Sequence, residues 1–345
     1  MAVLDVPAQE SVIRPETQTE VKTGISTTSR IYKFLSGIPT WVLWIIVTVW
    51  TLPTASLLAN SFRGREAQRD SVFWELFLPP GVASSGEEEG VVASGWDAFT
   101  LDNYDAVWNS QASGGLKEGL VNSFAIAIPA TIIPIAIAAF AAYAFAWIDF
   151  KGRELLFIAV VSLLAIPNQT ALLPLLQTFA GGAHWTIWGT DKTVTLIPDV
   201  GLQGSSTSIW LAHTAFAMPF AIFLLHNYIN SLPKDVFESA RIDGADHFTM
   251  FWRLVVPLSV PVLAAFAIFQ FLWTWNDLLI ATVFGDAGGE ISPMTVRIAA
   301  LTGEFGRNEH LLTAGAFVQA FVPLLVFFGL QRFFVRGILA GSVKG

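Results

Sequence analysis

Long apolar runs dominate the chain and recur six times, separated by polar or glycine-containing segments. They cover residues 40–62, 119–148, 155–178, 207–230, 257–284 and 311–336. Each run is long enough to cross a hydrocarbon layer, which takes about 20 helical residues. The runs lack the alternation of barrel strands, and backbone groups in lipid must be hydrogen-bonded within the segment. The pattern therefore predicts an all-α membrane protein with six transmembrane helices.

The polar segments divide the chain into a tail and a membrane domain. Residues 1–35 are rich in Ser, Thr and Glu and are predicted to form a flexible cytoplasmic tail, because they bury too little apolar surface to fold. Residues 36–345 form the six-span domain. This domain has an enlarged outer loop at 63–118, a cytoplasmic loop at 231–256 and a C-terminal tail at 337–345.

Basic residues indicate the orientation of the spans. They lie before span 1, between spans 2 and 3, between spans 4 and 5, and at the C-terminus (Arg30, Lys33, Lys151, Arg153, Lys234, Arg241, Arg253, Arg332, Arg336 and Lys344). The opposite side carries the acidic run Glu87–Glu89. Because basic residues accumulate in cytoplasmic loops, both termini are predicted to be cytoplasmic.

The composition agrees with a membrane location and excludes several kinds of catalytic or metal-binding site. Only 13% of the 345 residues are charged, against about 25% in soluble domains. The chain has no cysteine and no Gly-Lys dipeptide, so it has neither thiolate chemistry nor a phosphate-binding Walker A loop. Its five histidines lack metal-ligand spacing. We expect no metal site, no bound cofactor and no catalytic residue.

The most informative segment is residues 232–257, LPKDVFESARIDGADHFTMFWRLVVP. Asp235 and Asp246 are candidate helix caps, and Gly244 between them permits a turn with positive φ. The pattern predicts a helix–glycine–helix elbow with an exposed apolar face. From these residues alone, two interpretations stay open: a docking surface for a cytosolic protein, or a helix lying on lipid headgroups.

The same segment resembles the EAA loop of ABC-importer permeases. The resemblance rests on Glu238-Ser239-Ala240, Asp243-Gly244-Ala245 and the residues leading to Pro257, with a serine in place of the central alanine and valine near the proline. In that family the elbow is a coupling helix that docks on the ATPase subunit. The resemblance therefore implies a type I ABC importer permease fold. It also implies a set of ATPase-coupling residues (Phe237, Glu238, Ser239, Ala240, Asp243, Gly244, Ala245, Phe248 and Pro257).

Other stretches resemble the carbohydrate branch of this family. They are Asn122-Ser123, Ala141–Phe145, Trp275–Asp277 and the C-terminal residues from Gln331 onward. The ending is similar to that of the maltose-type second permease, whose tail reaches the ATPase interface. That similarity implies tail contacts from Arg336, Gly341 and Lys344.

The resemblance implies a heteromeric importer in a prokaryotic plasma membrane. The expected partners are a second homologous permease, two ATP-binding subunits that hold ATP and Mg, and an extracellular solute-binding protein; no nucleic acid is expected. The implied solute is a sugar or oligosaccharide of the maltose, trehalose or α-glucoside type. The alternative is glycerol phosphate or another non-sugar solute.

Several polar and aromatic residues in the spans are candidates for a solute pathway (Asn168, Gln169, Trp273, Trp275, Asn276 and Asp277). For each of them a second interpretation stays open. The amides are equally suited to bridging helices, the indoles to the interfacial aromatic belt, and Asp277 to the outer headgroup region if span 5 ends early.

Two other function classes compete with an ATP-driven importer. An ion-coupled secondary transporter is expected to carry several intramembrane charges, and only Asp277 qualifies. A non-transporting receptor or scaffold leaves the elbow unexplained. Both are disfavoured.

Overall fold

The computed structural model describes residues 37, 39–79, 95–109, 115–189, 191–286, 289–302 and 308–342, with backbone only from 332 onward. The predicted N-terminal tail, residues 1–35, and Lys344 lie outside the described residues. The chain divides into two compact units, 1–54 and 55–345. The described part of the first unit consists mostly of a helix whose large side chains, such as Trp44 and Trp50, are exposed.

Helices make up most of the described chain. In chain order they are α1 (Thr40–Ser61), α2 (Arg65–Asp70), α3 (Asp102–Asn109), α4 (Gly115–Trp147), α5 (Arg153–Ser162), α6 (Asn168–Gly181), α7 (Ser206–Asn230), α8 (Lys234–Ile242), α9 (His247–Asn276), α10 (Leu279–Phe284), α11 (Met294–Ala300) and α12 (Glu309–Ser342). Five are long and apolar enough to span a membrane, or six if the bent pair α5–α6 is one span. The apolar segments predicted from sequence are therefore present as helices, with two corrections.

The third predicted span is not one continuous helix. A short 3-10 turn, Leu163–Ala165, extends α5, and α6 then leaves at an angle of 104°. Ile166 is extended, with ψ of 120°, because the ring of Pro167 disfavours a helical conformation in the residue before it. The prediction of a single helix over 155–178 is wrong for this reason.

The fifth predicted span is displaced toward the N-terminus. Helix α9 begins at His247 and ends at Asn276, and residues 279–284 form the separate helix α10. Within α9, residues Phe251–Val255 are π-helical. Pro257 follows this stretch and has no N–H for the carbonyl four residues earlier, a position at which helices often widen.

Small residues let the spans in the second unit pack closely. Helices α4 and α7 share the most extensive interface, and fully buried alanines recur along both (Ala127, Ala130, Ala138, Ala142, Ala212 and Ala221). Small side chains such as these take up little room, so the backbones of two membrane helices can approach closely. The main apolar core lies between α4, α7 and α9.

At three prolines inside the spans, a neighbouring helix satisfies the carbonyl that the proline releases. A proline cannot donate to the carbonyl four residues before it. In three cases a side-chain N–H of another span donates to that carbonyl at 3.1–3.2 Å: Trp210 to Ala125 before Pro129, Gln270 to Ala130 before Pro134, and Trp275 to Gln319 before Pro323. Each of these three prolines therefore has a matching side-chain donor on another span.

Two features outside the spans are folded as well. Residues Ala183–Thr186 and Thr193–Ile197 form an antiparallel two-stranded hairpin, which the sequence analysis did not predict. In the segment after α1, the buried guanidinium of Arg63 donates to Asn60 at 3.0 Å and to Ala67 and Ser71. The described part of the segment after α1 is therefore folded.

The C-terminal tail is not separate from the last span in its backbone. The sequence predicts a flexible stretch over 337–345, but α12 is helical without interruption from Glu309 to Ser342. The backbone therefore has no break at 337 within the described residues, and the tail boundary stays a prediction.

Candidate functional sites: an elbow and a cavity

Helix α8 forms the first arm of the elbow, which we define as residues 234–250. The helix begins after Pro233, whose φ of −59° already suits entry into a helix. Asp235 lies in the first turn, and no side chain caps this end. The prediction that Asp235 is a cap is wrong, although its carboxylate is still favourably placed near the positive end of the helix dipole.

A glycine turn ends the first arm as predicted. Gly244 has φ of +83°, and its N–H donates to the Arg241 carbonyl at 3.0 Å. The N–H of Ala245 donates to the Ala240 carbonyl at 2.9 Å. Together these bonds are the Schellman motif that closes many helices, which requires a left-handed residue at this position. No atom lies within 4 Å of a Cβ built on Gly244, so only backbone strain, and not crowding, selects glycine.

Asp246 caps the second arm, as predicted. Its carboxylate accepts from the Thr249 N–H at 2.8 Å. The hydrogen bonds from Thr249 hold the pKa of Asp246 below its usual range. Because the lowered pKa belongs to the folded elbow, the cap is intact above the ordinary Asp pKa and is lost only as pH falls through the lowered pKa.

Phe237 faces inward and not toward a partner. It is 1% exposed, and its ring stacks on Trp147 at the end of α4 with centroids 3.9 Å apart. Trp147 in turn donates to the Ile229 carbonyl at 3.3 Å. Phe237, predicted to be a coupling residue, therefore offers no surface to a partner; its ring joins the elbow to the membrane domain. Ala240 and Ala245 pack on the same core.

The outward face of the elbow is apolar. Ile242 is 87% exposed and Phe248 is 68% exposed. Among the predicted coupling residues, the polar ones are also exposed (Glu238, Ser239 and Asp243). Exposed apolar side chains of this size on an ordered turn are typical of an interaction surface. Pro257 lies further along α9 and outside this face.

The second arm is rigidly continuous with a span. The Tyr143 hydroxyl on α4 is 2.9 Å from His247 Nδ1. Phe251 is buried and stacks on Phe140, with centroids 4.3 Å apart. The second arm of the elbow therefore contacts α4 and continues into α9.

A cavity of about 520 Å³ lies at the break between α5 and α6. Its walls come from both sides of the break and from α7 and α9, and they are mostly apolar. Three side chains with polar groups line it: Asn168, Gln270 and Trp273. Discontinuous helices often build solute sites in transporters. The lining residues include no charged side chain.

His213 and Asp277 lie behind Trp273. The His213 ring meets the Trp273 ring edge to face, with centroids 5.5 Å apart, and its Nε2 is 3.8 Å from Asp277 Oδ2. Asp277 Oδ2 accepts from the N–H groups of Ile280 and Ala281 at 2.8 and 3.1 Å. Asp277 thus lies between α9 and α10 and accepts from the first turn of α10, outside the helix in which it was predicted.

The remaining pathway candidates lie away from the cavity. Trp275 is 2% exposed and packs between Phe124 and Phe271, so it belongs neither to a solute platform nor to the lipid-facing belt. Asn276 donates back to its own helix at the Leu272 carbonyl, and Gln169 is exposed and does not line the cavity.

Sequence reasoning did not single out Gln270. The available signal is an amide in the middle of an otherwise apolar run, between Phe269 and Phe271. Arg336 and Gly341 lie in α12, where side chains are not described. Among the described residues, no group of three or more His, Asp or Glu side chains is placed to hold a metal ion.

The sequence profile of the binding-protein-dependent transport system inner membrane component family matches residues 135–340. The chain belongs to this family. It is therefore a membrane-embedded permease subunit, and the match includes the elbow and the cavity.

Relatives of this permease extend the similarity beyond the family match. The osmoprotective compounds uptake permease protein GgtD of Synechocystis sp. is 45% identical over 318 residues, covering 92% of this chain and 95% of the relative. The alpha-glucoside transport system permease protein AglG of Rhizobium meliloti is 51% identical over 248 residues, covering 72% of this chain and 61% of the relative.

A solved structure shares the fold of the permease. A chain of a bacterial ABC transporter involved in the import of the acidic polysaccharide alginate superposes with a TM-score of 0.64 at 16% identity. The superposition covers 89% of this chain and 97% of that one. At this identity the likeness establishes the ABC importer permease fold alone.

Proposed function

We propose that this permease belongs to an ATP-driven importer of uncharged glycosides of the α-glucoside type. The observation that carries the proposal is the 51% identity to a permease named for alpha-glucoside transport. The cavity agrees with this solute class because its lining offers amide and indole groups in an apolar wall and no charge. Sugars combine hydroxyl groups with apolar ring faces that suit such a wall.

Osmoprotective solutes are a second candidate class. The supporting observation is the 45% identity, over 92% of this chain, to a permease named for their uptake. Glycerol phosphate is less well supported, because a phosphate group is usually held by cationic side chains and none lines the cavity.

The proposed role of the elbow is to couple ATP-driven closure to the spans. An ATP-binding subunit would dock on the apolar face around Ile242 and Phe248, and α9 would carry the movement into the membrane domain. The proposed complex contains a second permease, two ATP-binding subunits with ATP and Mg²⁺, and an extracellular solute-binding protein. Both termini would face the cytoplasm.

Reconstitution of the complete complex in proteoliposomes tests the solute class. We expect the binding protein to stimulate ATP hydrolysis and uptake when it is loaded with maltose, trehalose or sucrose, but not with glycerol 3-phosphate. Glycine betaine distinguishes a zwitterionic osmoprotectant from a glycoside. Stimulation by glycine betaine or glycerol 3-phosphate alone would contradict the glycoside assignment.

A further inference from the structure

The side-chain amide of Gln270 is unusual because it is buried and only partly hydrogen-bonded. Its side chain is 0% exposed to solvent yet forms part of the cavity wall. Its Nε2 donates to the Ala130 carbonyl at 3.2 Å, whereas its Oε1 has no hydrogen-bond partner among the residues that the structure describes. A buried acceptor without a donor is costly, so native structures retain few of them and each asks for an explanation.

The orientation of this amide follows from the sequence of α4. Pro134 has no N–H for the carbonyl of Ala130, so that carbonyl needs an external donor. Only the NH₂ end of the amide can donate. Reversing the amide would place two oxygens against each other. The orientation of the Gln270 amide is therefore fixed, and its Oε1 stays without a donor in a residue that lines the cavity.

A second carbonyl that lacks its helical donor belongs to another residue of the cavity wall. Ala215 lines the wall, and Pro219 removes the usual helical donor of its carbonyl. Trp273 forms another part of the wall and is held from behind by His213. Asn168, at the first position of α6, supplies an exposed amide.

We propose that this cavity is a solute subsite of the permease. A neutral polyhydroxylated solute donates hydroxyl hydrogens to Gln270 Oε1 and to the Ala215 carbonyl, while an apolar ring face packs on Trp273. This proposal rests on the glycoside importer function proposed above. The volume of about 520 Å³ lies within the usual range for small-molecule sites.

Filling the cavity tests whether solute passes through it. In the reconstituted complex, Ala171→Phe places a ring in the cavity wall, and Ala180→Phe adds the same ring at an exposed position of α6 that does not line the cavity. We expect maltose uptake to fall at least about tenfold with Ala171→Phe, with ATP hydrolysis still stimulated by the loaded binding protein. Ala180→Phe should leave both rates unchanged.

The variant Gln270→Leu tests whether Gln270 contacts the solute or only stabilises the helix packing. Trp275→Phe is its matched control. Both substitutions remove a bond to a carbonyl released by proline, but only Gln270 lines the cavity. We expect Gln270→Leu to raise the KM for maltose uptake about five- to tenfold, since one hydrogen bond to an uncharged group is lost. Trp275→Phe should leave KM unchanged.

The outcomes distinguish this proposal from the proposed function. If the parental complex is not stimulated by any glycoside, the importer function itself fails. If the parental complex imports maltose but Ala171→Phe imports it at the parental rate, the subsite is wrong while the function stands. Equal KM values for Gln270→Leu and Trp275→Phe would likewise overturn the solute contact.

Discussion

The elbow and the cavity belong to one chain but are built by different kinds of interaction. The turn at Gly244 is closed by the bond from Ala245 to Ala240, and the second arm by the cap of Asp246. These bonds join residues close in sequence. In the cavity wall, Gln270 meets Ala130 across 140 residues. The elbow is thus specified locally, whereas the cavity exists only once the spans have packed.

One contact departs from this contrast. The elbow is attached to the bundle by Phe237, which stacks on Trp147 from a distant part of the chain. The local motif therefore determines the shape of the elbow, and this single ring determines where the elbow lies on the membrane domain. Substitutions in the local turn motif and substitutions of Phe237 should therefore have different effects on the permease.

The largest effect is expected from Phe237→Ala. Removing a fully buried aromatic ring typically costs about 3–5 kcal/mol, and here it detaches α8 from α4. We expect a lower thermal midpoint of the purified permease in detergent together with loss of coupled transport. Phe248→Ala is the control, because this exposed ring should affect ATPase assembly without lowering the stability of the permease. Equal stability of the two variants would contradict the anchoring role of Phe237.

Gly244→Val is expected to rank second. A β-branched residue at φ of +83° costs about 1–3 kcal/mol, although its side chain has open space. The spans should insert normally, while co-purification with the ATPase or coupling of hydrolysis to uptake should fail. Gly244→Asn should retain both, because asparagine tolerates the left-handed region. If the Val and Asn variants behave alike, the turn geometry is not what the elbow requires.

Trp275→Phe should have a moderate effect, confined to the packing of the spans. It leaves the Gln319 carbonyl, released by Pro323, without its indole donor. Interhelical hydrogen bonds in membranes are worth about 0.6 kcal/mol on average and at most about 1.7 kcal/mol. We expect a small decrease in the denaturant midpoint with coupling intact. Restoration of the midpoint by the second substitution Pro323→Ala would support the pairing of proline and donor.

Ser239→Ala should have the smallest effect. The Ser239 hydroxyl donates to the Asp235 carbonyl within its own helix at 2.8 Å. Alanine has a higher helix propensity by up to about 0.7 kcal/mol, so α8 should be slightly more stable and transport unchanged. A marked loss of ATPase binding would show that the hydroxyl itself contacts the partner.

The same contrast explains what the sequence could predict. Gly244 and Asp246 were assigned correctly because a positive-φ turn and a helix cap depend on a few adjacent residues. The apolar runs also identified the helices that span, since length and hydropathy are local properties. The EAA resemblance agrees with the family match, which includes the elbow.

Other features depend on packing and could not be predicted. Pro167 was visible in the sequence, but the 104° bend requires neighbouring helices that accommodate it. The sequence predicts Phe237 as a coupling residue and Trp275 as a pathway residue, because nothing local shows that each side chain has a partner on another helix. The hairpin was not predicted, although residues 193–197 alternate threonine with apolar residues and are rich in β-branched side chains, which favour a strand.

We propose that the apolar face of the elbow docks on an ATP-binding subunit, and a crosslink tests this contact directly. The chain has no cysteine, so Ile242→Cys introduces a unique thiol on that face. A short thiol-to-amine crosslinker is applied to the intact complex in membranes, with Ile132→Cys, an exposed position on span 2, as the control. We expect a covalent adduct between this permease and the ATPase chain for Ile242→Cys and none for Ile132→Cys. An Ile242 thiol that reacts freely with a soluble reagent in the complex but gives no ATPase adduct would contradict it.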